Sequence, residues 1–521
     1  MTTEMSEMID TKKVPLDRSV RLQSRSFEDP ESQMFLHEQN LGKKKYEAEY
    51  HQGSASFGMS VFNLGNAIMG SGILGLSYAM ANTGIALFVM LLVAVAIFSL
   101  YSVHLLLKTA NEGGARVYEQ LGYKAFGIPG KLAASCSITM QNIGAMSTYL
   151  YIIKYELPTV IKAFLGSSDD EWYTNGDYLM LLVTLAIILP LSLLKNLGYL
   201  GYTSGLSLLC MVFFVIVVSV SALLPRLPFL PGNAWNEETE YLPDPECCCL
   251  FLQVIIKKFQ ITCNMLVEAN ITKASDQCTP QYFVFNSQTV YAVPILTFAF
   301  VCHPAILPMY EELKDRSRKK MQNVANVSFL SMFIMYLLAA LFGYLTFNSG
   351  VESELLHTYS KVYRQLDVVL LIVRLAVLTA VTLTIPVVLF PIRTSVNHLF
   401  CASKEFSWLR HTIITVSLLG CTNMLVIFTP NIKDIFGIIG ASAAAMLIFI
   451  LPSAFYIKLV KKESMKSIQK IGATLFLILG FVVMIGSTLL IILDWIHNSQ
   501  SGPALVGHPA VNATTTPAHG H

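Results

Sequence analysis

Charged side chains are scarce in this sequence. Asp, Glu, Lys and Arg make up 13% of its 521 residues, against about 25% in typical globular proteins, while apolar residues make up 54%. Of the 70 charged residues (36 basic plus 34 acidic), 18 lie in the first 56 positions, so the rest of the chain is poorer still. A soluble fold cannot bury so much apolar surface. The composition therefore excludes a set of soluble domains and indicates an all-α polytopic membrane protein.

Signatures of other protein classes are missing as well. The formal net charge is only +2, and no dense block of Lys and Arg indicates a nucleic-acid partner. No cluster of His, Cys and carboxylates has metal-site spacing, so we expect neither a resident cofactor nor an enzymatic reaction. The run Gly70–Gly75 matches a dinucleotide-binding fingerprint in its letters alone, because no strand precedes it and it lies in an apolar stretch.

Eleven apolar stretches are long enough to cross about 30 Å of hydrocarbon. In chain order they cover 57–79, 83–107, 130–153, 177–194, 198–222, 289–310, 326–347, 366–390, 411–430, 436–458 and 471–494. The sequence thus predicts a transmembrane region over 57–494 with eleven helices.

The distribution of Lys and Arg predicts the orientation of these helices. With residues 1–56 in the cytosol, 26 of the 36 Lys and Arg residues face the cytosol and nine face outside, which is the bias that the positive-inside rule describes. Residues 1–56 are polar, and we expect a disordered cytosolic tail that either binds regulatory partners or is an inert leader. An odd number of crossings places the tail 495–521 outside the cell.

The longest connection, 223–288, then also lies outside. It carries a sequon at Asn270, which is a predicted glycosylation site. Cys263 and Cys278 flank this sequon in the oxidising compartment. A bond between them would stabilise the fold by ~3 kcal/mol in the chain-entropy model.

Two of the apolar stretches carry residues that interrupt a helix at mid-depth. In the first stretch, Asn66–Gly75 contains three glycines and a serine, and glycine weakens the helix while it lets a ligand approach the backbone. In the sixth, the run Ala299–Pro304, with Pro294 and Pro308 nearby, interrupts the helix, because each proline removes a helical N–H group. The two helices are five apart, so they cross the membrane in opposite directions. This pattern is typical of an inverted five-plus-five repeat with a binding site at the midplane, to which the eleventh helix is an addition.

Unpaired backbone groups at the breaks suggest two kinds of ligand. Freed N–H groups suit a carboxylate, and freed carbonyls suit a small cation. The amide of Asn66 is the best single cation ligand because it is neutral, although it could equally form an interhelical hydrogen bond, and the glycines could serve tight helix packing alone. The candidates are Gly65, Asn66 and Ile68 for the cation, and Gly70, Ser71, Gly72, Phe298 and Phe300 for the substrate.

The eighth apolar stretch supplies further oxygen atoms. Pro386 has no N–H for the carbonyl of Thr382, and the hydroxyls of Thr382 and Thr384 could complete an oxygen shell, although threonine often bonds back to the preceding turn. The two threonines point to different faces of a helix, so the choice stays open. Arg374 is a functional candidate as a charged residue within a span, but we expect it to reach the membrane surface or to pair with Asp367.

Several segments resemble the sodium-coupled neutral amino acid transporters, and in detail their system A branch. They include FNLGNAIMGSGILGLSYAMANTG from Phe62, FAFVCHP from Phe298, EELKDRSRKKMQNV from Glu311 and GASAAAMLIFILPSAFYIKLVKKE from Gly440. The resemblance covers about residues 40–498. It is interrupted by the segment Ser219–Val254, which the family does not have. This segment is either a retained intron or a lineage-specific loop.

The resemblance implies a LeuT-like carrier at the plasma membrane. It implies electrogenic symport of Na⁺ with small neutral amino acids such as alanine, glutamine and N-methylated analogues. The family's sodium-linked asparagine falls on Asn66, its eighth-span threonine on Thr384 with Thr382 as the alternative, and its exterior disulfide on Cys263 and Cys278. A proton-coupled carrier and a non-transporting amino acid sensor of the same fold are the competing hypotheses.

Overall fold

Every regular element in the described residues is helical, apart from one isolated parallel bridge between Ala55 and Leu313. The computed structural model describes residues 53, 55–114, 117–165, 172–194, 200–223, 279–362, 368–400, 407–461, 464 and 466–500. The predicted cytosolic tail up to Gln52, the sites at Asn270, Cys263 and Cys278, and most of the insert lie outside these residues.

The helices follow the apolar stretches closely. In chain order they are α1 (Phe57–Ile68), α2 (Gly72–Ala81), α3 (Ile85–Gly113), α4 (Tyr118–Phe126), α5 (Ile128–Leu165), α6 (Gly176–Val183), α7 (Leu189–Leu193), α8 (Leu200–Leu223), α9 (Ala292–Ala299), α10 (His303–Glu312), α11 (Arg318–Phe347), α12 (Leu355–Val362), α13 (Val368–Phe400), α14 (Trp408–Phe428), α15 (Ile432–Ile439), α16 (Leu451–Leu459) and α17 (Ile468–Gln500). A π-helical turn joins α6 to α7, and two more join α15 to α16.

Local signals in the sequence place several of the helix ends. The side-chain oxygens of Ser56, Asn175 and Ser317 accept hydrogen bonds from backbone N–H groups in the first turns of α1, α6 and α11, which otherwise have no helical partner. Between α2 and α3, Gly84 has a φ of 81°. A side chain there would also lie 2.6 Å from the backbone of Tyr282, so only glycine fits this turn.

In the described residues, eight helices are long and apolar enough to cross a membrane, or nine if the bent pair α1–α2 counts as one span. The two other expected spans are helical too, as α5 and α8. Helix α5 has 38 residues and is roughly 57 Å long. The all-helical, multi-span architecture is confirmed, whereas the total of eleven spans and the inverted repeat stay predictions.

The spans differ in how deeply they are buried. Of the most apolar 18 residues of each span, 72% are buried in the span Ser287–Glu312 and 83% in Ile432–Leu459, but only 17% in Ile468–Asn498. Many apolar side chains of α17, such as Leu475 and Val482, are exposed. The sixth and tenth spans therefore lie inside the bundle, and α17 lies at its edge with an apolar surface suited to lipid.

A buried ion pair joins α5 to α13. The Nε atom of Arg374 lies 3.5 Å from Oε2 of Glu156, and the two side chains are 5% and 1% exposed. The partner expected from the sequence, Asp367, lies outside the described residues. Glu156 could not be found from spacing, because it comes from a helix more than 200 positions earlier in the chain.

A second buried carboxyl lies near this pair. Glu354 precedes α12 and is 2% exposed, and its oxygens have no hydrogen-bond partner among the described residues. Burial and then the charge of Glu156 raise the pKa of Glu354 well above its ordinary value, although Arg374 lowers it. The folded protein therefore keeps the Glu354 proton to a higher pH than the unfolded chain does.

This raised pKa predicts a pH dependence of stability. As the pH rises above about 4.5, the unfolded chain releases the Glu354 proton first, so the free energy of unfolding falls until the folded carboxyl also ionises. Glu354→Gln keeps the shape of the protonated form and cannot ionise. In detergent, its melting temperature should therefore fall less than that of the parent between about pH 5 and pH 8. Glu112→Gln, at an exposed position of α3, should follow the parent, and parallel curves for Glu354→Gln and the parent would refute the prediction.

Candidate functional site

The predicted interruption of the first span is present. Helix α1 ends at Ile68, α2 begins at Gly72, and the two helix axes differ by 58°. Met69 has extended dihedral angles, with φ −73° and ψ 97°. The carbonyl groups at the end of α1 and the N–H groups at the start of α2 therefore meet inside the bundle instead of pairing with each other.

The sixth span is interrupted at the predicted place, although not in the way that we expected. Helix α9 ends at Ala299 and α10 begins at His303. Pro304 lies in the first turn of α10, where its missing N–H would have no helical partner in any case. It therefore starts the second half-helix instead of breaking a continuous one.

The two breaks lie against each other. A Cβ atom added to Gly72 would lie 2.9 Å from both the Cα and the Cβ atom of Ala299, which is closer than carbon atoms can pack. Gly72 thus serves the close approach of two backbones, a role that a motif within one span could not reveal.

Tyr336 of α11 connects the two breaks. Its hydroxyl donates to the carbonyl oxygen of Ile68 at 2.9 Å and to that of Ala299 at 2.8 Å. The residue is 0% exposed. Sequence reasoning missed it, and the only signal was a tyrosine within an apolar span, whose buried hydroxyl must find a partner.

The substrate candidates of the first span contact α5. The hydroxyl of Ser71, which is 1% exposed, forms a short hydrogen bond with that of Thr148. A Cβ atom on Gly70 would lie 3.1 Å from the Tyr149 hydroxyl. Helix α5 thus supplies two polar side chains to the break that the sequence analysis did not identify.

The substrate candidates of the sixth span are both packed in the bundle. Phe298 meets Phe436 edge to face at 5.1 Å. Phe300 is 0% exposed and stacks on Phe329 at 5.9 Å. In this conformation the two rings stabilise the second break by apolar contacts.

The cation candidates of the first span lie at the end of α1. The Gly65 carbonyl accepts a hydrogen bond from the Met69 N–H at 2.8 Å, and that of Ile68 is held by Tyr336. Asn66 is half-buried, and in the described part of the chain its side chain forms no hydrogen bond. Its amide oxygen is therefore available to a ligand.

The two threonines of α13 differ in their surroundings. Thr384 donates to the Ala380 carbonyl at 2.7 Å, and its hydroxyl lies 2.8 Å from that of Ser207 on α8. Thr382 is half-buried and forms no hydrogen bond within the described ranges. Among the same residues no hydrogen bond joins Thr384 to Asn66, so Ser207, which the sequence analysis missed, is the contact that the structure adds.

Helix α8 lies between the two groups of cation candidates. It packs against both α1 and α13, and a Cβ atom on Gly205 would lie 3.7 Å from the ring of Phe62. All of the candidate oxygen ligands are neutral. No group of three His, Cys, Asp or Glu residues suited to a metal ion occurs in the residues that the structure describes.

Comparison with known proteins gives one family and several similar chains. The model of the transmembrane amino acid transporter protein family matches residues 53–493. The sodium-coupled neutral amino acid symporter 2 of Danio rerio is 75% identical over 493 residues, which cover 92% of this chain and 90% of the relative. The sodium-coupled neutral amino acid transporter 4 of Homo sapiens is 59% identical over an alignment of 534 positions, and this alignment covers 90% of this chain and 91% of the relative.

Two solved structures are similar in fold. MhsT in complex with L-phenylalanine has a TM-score of 0.51 at 12% identity and covers 86% of this chain and 99% of its own. Mhp1 is a nucleobase-cation-symport-1 family transporter, solved in a closed conformation with bromovinylhydantoin bound. Its TM-score is 0.50 at 13% identity, and the match covers 87% of this chain and 93% of the Mhp1 chain. At these identities the likeness shows the fold alone.

Proposed function

This chain belongs to the transmembrane amino acid transporter protein family, and we propose that it is a sodium-coupled symporter of neutral amino acids. It takes up small substrates such as alanine, glutamine and N-methylated analogues together with Na⁺, and the coupled movement is electrogenic. The names of its relatives support this reading, and they are names of transporters and not of enzymes. Eleven spans, five plus five of them in an inverted repeat, provide the framework for alternating access.

The contact between the two breaks carries this proposal. Gly72 and Ala299 touch, so the free ends of four half-helices meet in one place within the bundle. The N–H groups around Gly70, Ser71 and Gly72 bind the substrate carboxylate at the positive end of α2. Unpaired backbone is tolerated at this depth because it lines a ligand site or is buried in protein.

The cation binds beside this site. Asn66 and the carbonyls of Gly65 and Ile68 supply oxygen from α1, and Thr384 supplies a hydroxyl from α13. In the predicted topology α1 and α8 run in the same direction, and Gly205 lies against the ring of Phe62. Asn66 lies four residues after Phe62, and Ser207, which bonds to Thr384, lies two residues after Gly205, so the levels of Asn66 and Ser207 along the two helices differ by only about 3 Å. This neighbourhood favours Thr384 over Thr382 as the ligand.

The remaining features follow from the same assignment. The carrier lies in the plasma membrane with its N-terminal tail in the cytosol and its C-terminal tail outside. Cys263 and Cys278 form a disulfide in the exterior segment, and Asn270 carries a glycan. Regulatory partners bind the cytosolic tail.

Uptake and current in cells test the proposal. Removing an oxygen ligand weakens Na⁺ binding, so Asn66→Ala and Thr384→Ala should each raise the Na⁺ concentration for half-maximal alanine uptake at least about tenfold. Thr379→Ala is a matched control, because among the described residues the exposed Thr379 bonds only to the Leu375 carbonyl of its own helix, and the variant should behave as the parent.

The competing hypotheses predict other results. A proton-coupled carrier would take up alanine equally well when choline replaces Na⁺. A sensor would produce neither uptake nor inward current in the parent chain. A loss in Thr382→Ala together with a normal Thr384→Ala would transfer the hydroxyl ligand to Thr382.

A further inference from the structure

Tyr336 has two hydrogen-bond acceptors that belong to different spans. The Ile68 carbonyl lies at the end of α1 and the Ala299 carbonyl at the end of α9. Carbonyls at helix C-termini have no N–H partner within their own helix, and inside a bilayer they need one from elsewhere. The hydroxyl of Tyr336 thus donates a hydrogen bond to the last carbonyl of one half-helix at each break.

The phenol has only one proton to share between these acceptors. It can be divided between the two carbonyls, or donated fully to one of them, but it cannot serve both at full strength. Any group that takes over the Ile68 oxygen therefore leaves the proton to Ala299. In the proposed function the cation is such a group.

The Tyr336 ring is held in place while its proton is shared. The ring packs edge to face on Phe300 at 5.2 Å, and Phe300 stacks on Phe329, two turns earlier in α11 than Tyr336. The hydroxyl is therefore fixed between the breaks, and Phe300, which belongs to the second break, is in contact with the same ring.

We propose that Tyr336 is a positioning residue that couples cation binding at the Ile68 carbonyl to the geometry of the second break at Ala299. The inference rests on the proposed function. Cation binding at Ile68 strengthens the bond from Tyr336 to Ala299, which orders the second break for the amino acid. By linkage, the bound amino acid strengthens cation binding by the same factor.

Tyr336→Phe tests this role because it removes the hydroxyl and keeps the ring. Alanine uptake is measured at several Na⁺ concentrations and normalised to the amount of protein at the cell surface. In the parent, the alanine concentration for half-maximal uptake should fall as Na⁺ rises. In Tyr336→Phe this dependence should weaken by at least about fivefold, the lower end of typical coupling between sites.

Tyr344→Phe is the matched control on the same helix. Tyr344 is 1% exposed, and its hydroxyl accepts a hydrogen bond from the Gln281 N–H at 3.0 Å, away from both breaks. A role in folding alone would lower the surface amount and leave the Na⁺ dependence unchanged in both variants. If Tyr336→Phe shows the coupling of the parent, the inference is wrong while the proposed function stands. If the parent itself transports nothing, the proposed function fails first.

A second variant covers the case in which Tyr336→Phe does not fold. Site-specific incorporation of 3-fluorotyrosine at position 336 keeps the hydroxyl and makes it a stronger donor. It should change the Na⁺ dependence of the alanine half-saturation by more than about twofold, whereas the same substitution at position 344 should not. Equal behaviour at the two positions would overturn the inference.

Discussion

Gly72→Ala should reduce alanine uptake more than about tenfold at normal surface expression, and Gly72→Val should abolish it. The added Cβ atom would lie 2.9 Å from the Cα atom of Ala299, so the two breaks must move apart. Overpacking of this kind costs about 1–3 kcal/mol. In this protein the overpacking lies between the second break and the backbone N–H groups proposed to bind the substrate, whose separation must stay fixed. A shift of less than 1 Å is therefore enough to separate the groups that bind one amino acid.

The matched control is Gly58→Ala in the same span. A Cβ atom at Gly58 meets none of the described residues within 4 Å, so this variant should transport as the parent does. The double variant Gly72→Ala with Ala299→Gly removes one of the two close contacts and should recover part of the uptake. Full activity in Gly72→Ala would show that the breaks do not need the close approach.

Arg374→Met should destabilise the protein by about 3–5 kcal/mol, because it leaves the buried carboxylate of Glu156 without its cation. The two side chains are 5% and 1% exposed, so water does not replace the lost partner. The melting temperature in detergent and the amount of protein at the cell surface should both fall. Arg374→Met with Glu156→Met removes both charges and should recover most of the stability, since an apolar pair in such a place is often as stable as the ion pair.

A more exposed ion pair on α5, the helix of Glu156, provides the control. Lys154 lies 2.8 Å from Asp177, and their side chains are 14% and 39% exposed. Lys154→Met should therefore cost less than about 1 kcal/mol. Equal losses for Lys154→Met and Arg374→Met, or no recovery in the double variant, would show that the Arg374 effect does not come from an uncompensated buried charge.

The predictions for Gly72 and for Arg374 concern different parts of the transporter. Gly72 and Ala299 lie where the breaks meet, whereas Arg374 and Glu156 hold α13 to α5 near the end that the predicted topology places outside. Gly72 variants should fail in transport with little loss of folded protein, and Arg374→Met should fail in folding first. Measuring uptake per molecule at the surface separates the two kinds of failure.

Much of the architecture could be predicted because it depends on local signals. The apolar stretches predicted helices because a backbone in hydrocarbon must satisfy its own hydrogen bonds. The glycines around Gly70 and the prolines around Pro304 predicted where two of these helices stop. The reason given for Pro304 was wrong in detail, because the residue begins α10 and leaves no helical hydrogen bond broken.

The contacts that complete the site could not be read in this way. Tyr336, Ser207, Thr148 and Glu156 are unremarkable within their own segments, and each gains its role from a residue far away in the chain. The neighbour of Gly72 is Ala299, 227 positions later.

By itself, the sequence determined that the chain forms membrane-spanning helices, where two of them break, and which family it resembles. These properties follow from composition and from the backbone chemistry of glycine and proline, which act over a few residues. Only the tertiary structure decided that one tyrosine hydroxyl joins the two breaks, that Thr384 faces Ser207 and that Arg374 pairs with Glu156. The physical reason is that helix packing brings together side chains whose separation along the chain carries no information about their distance in space.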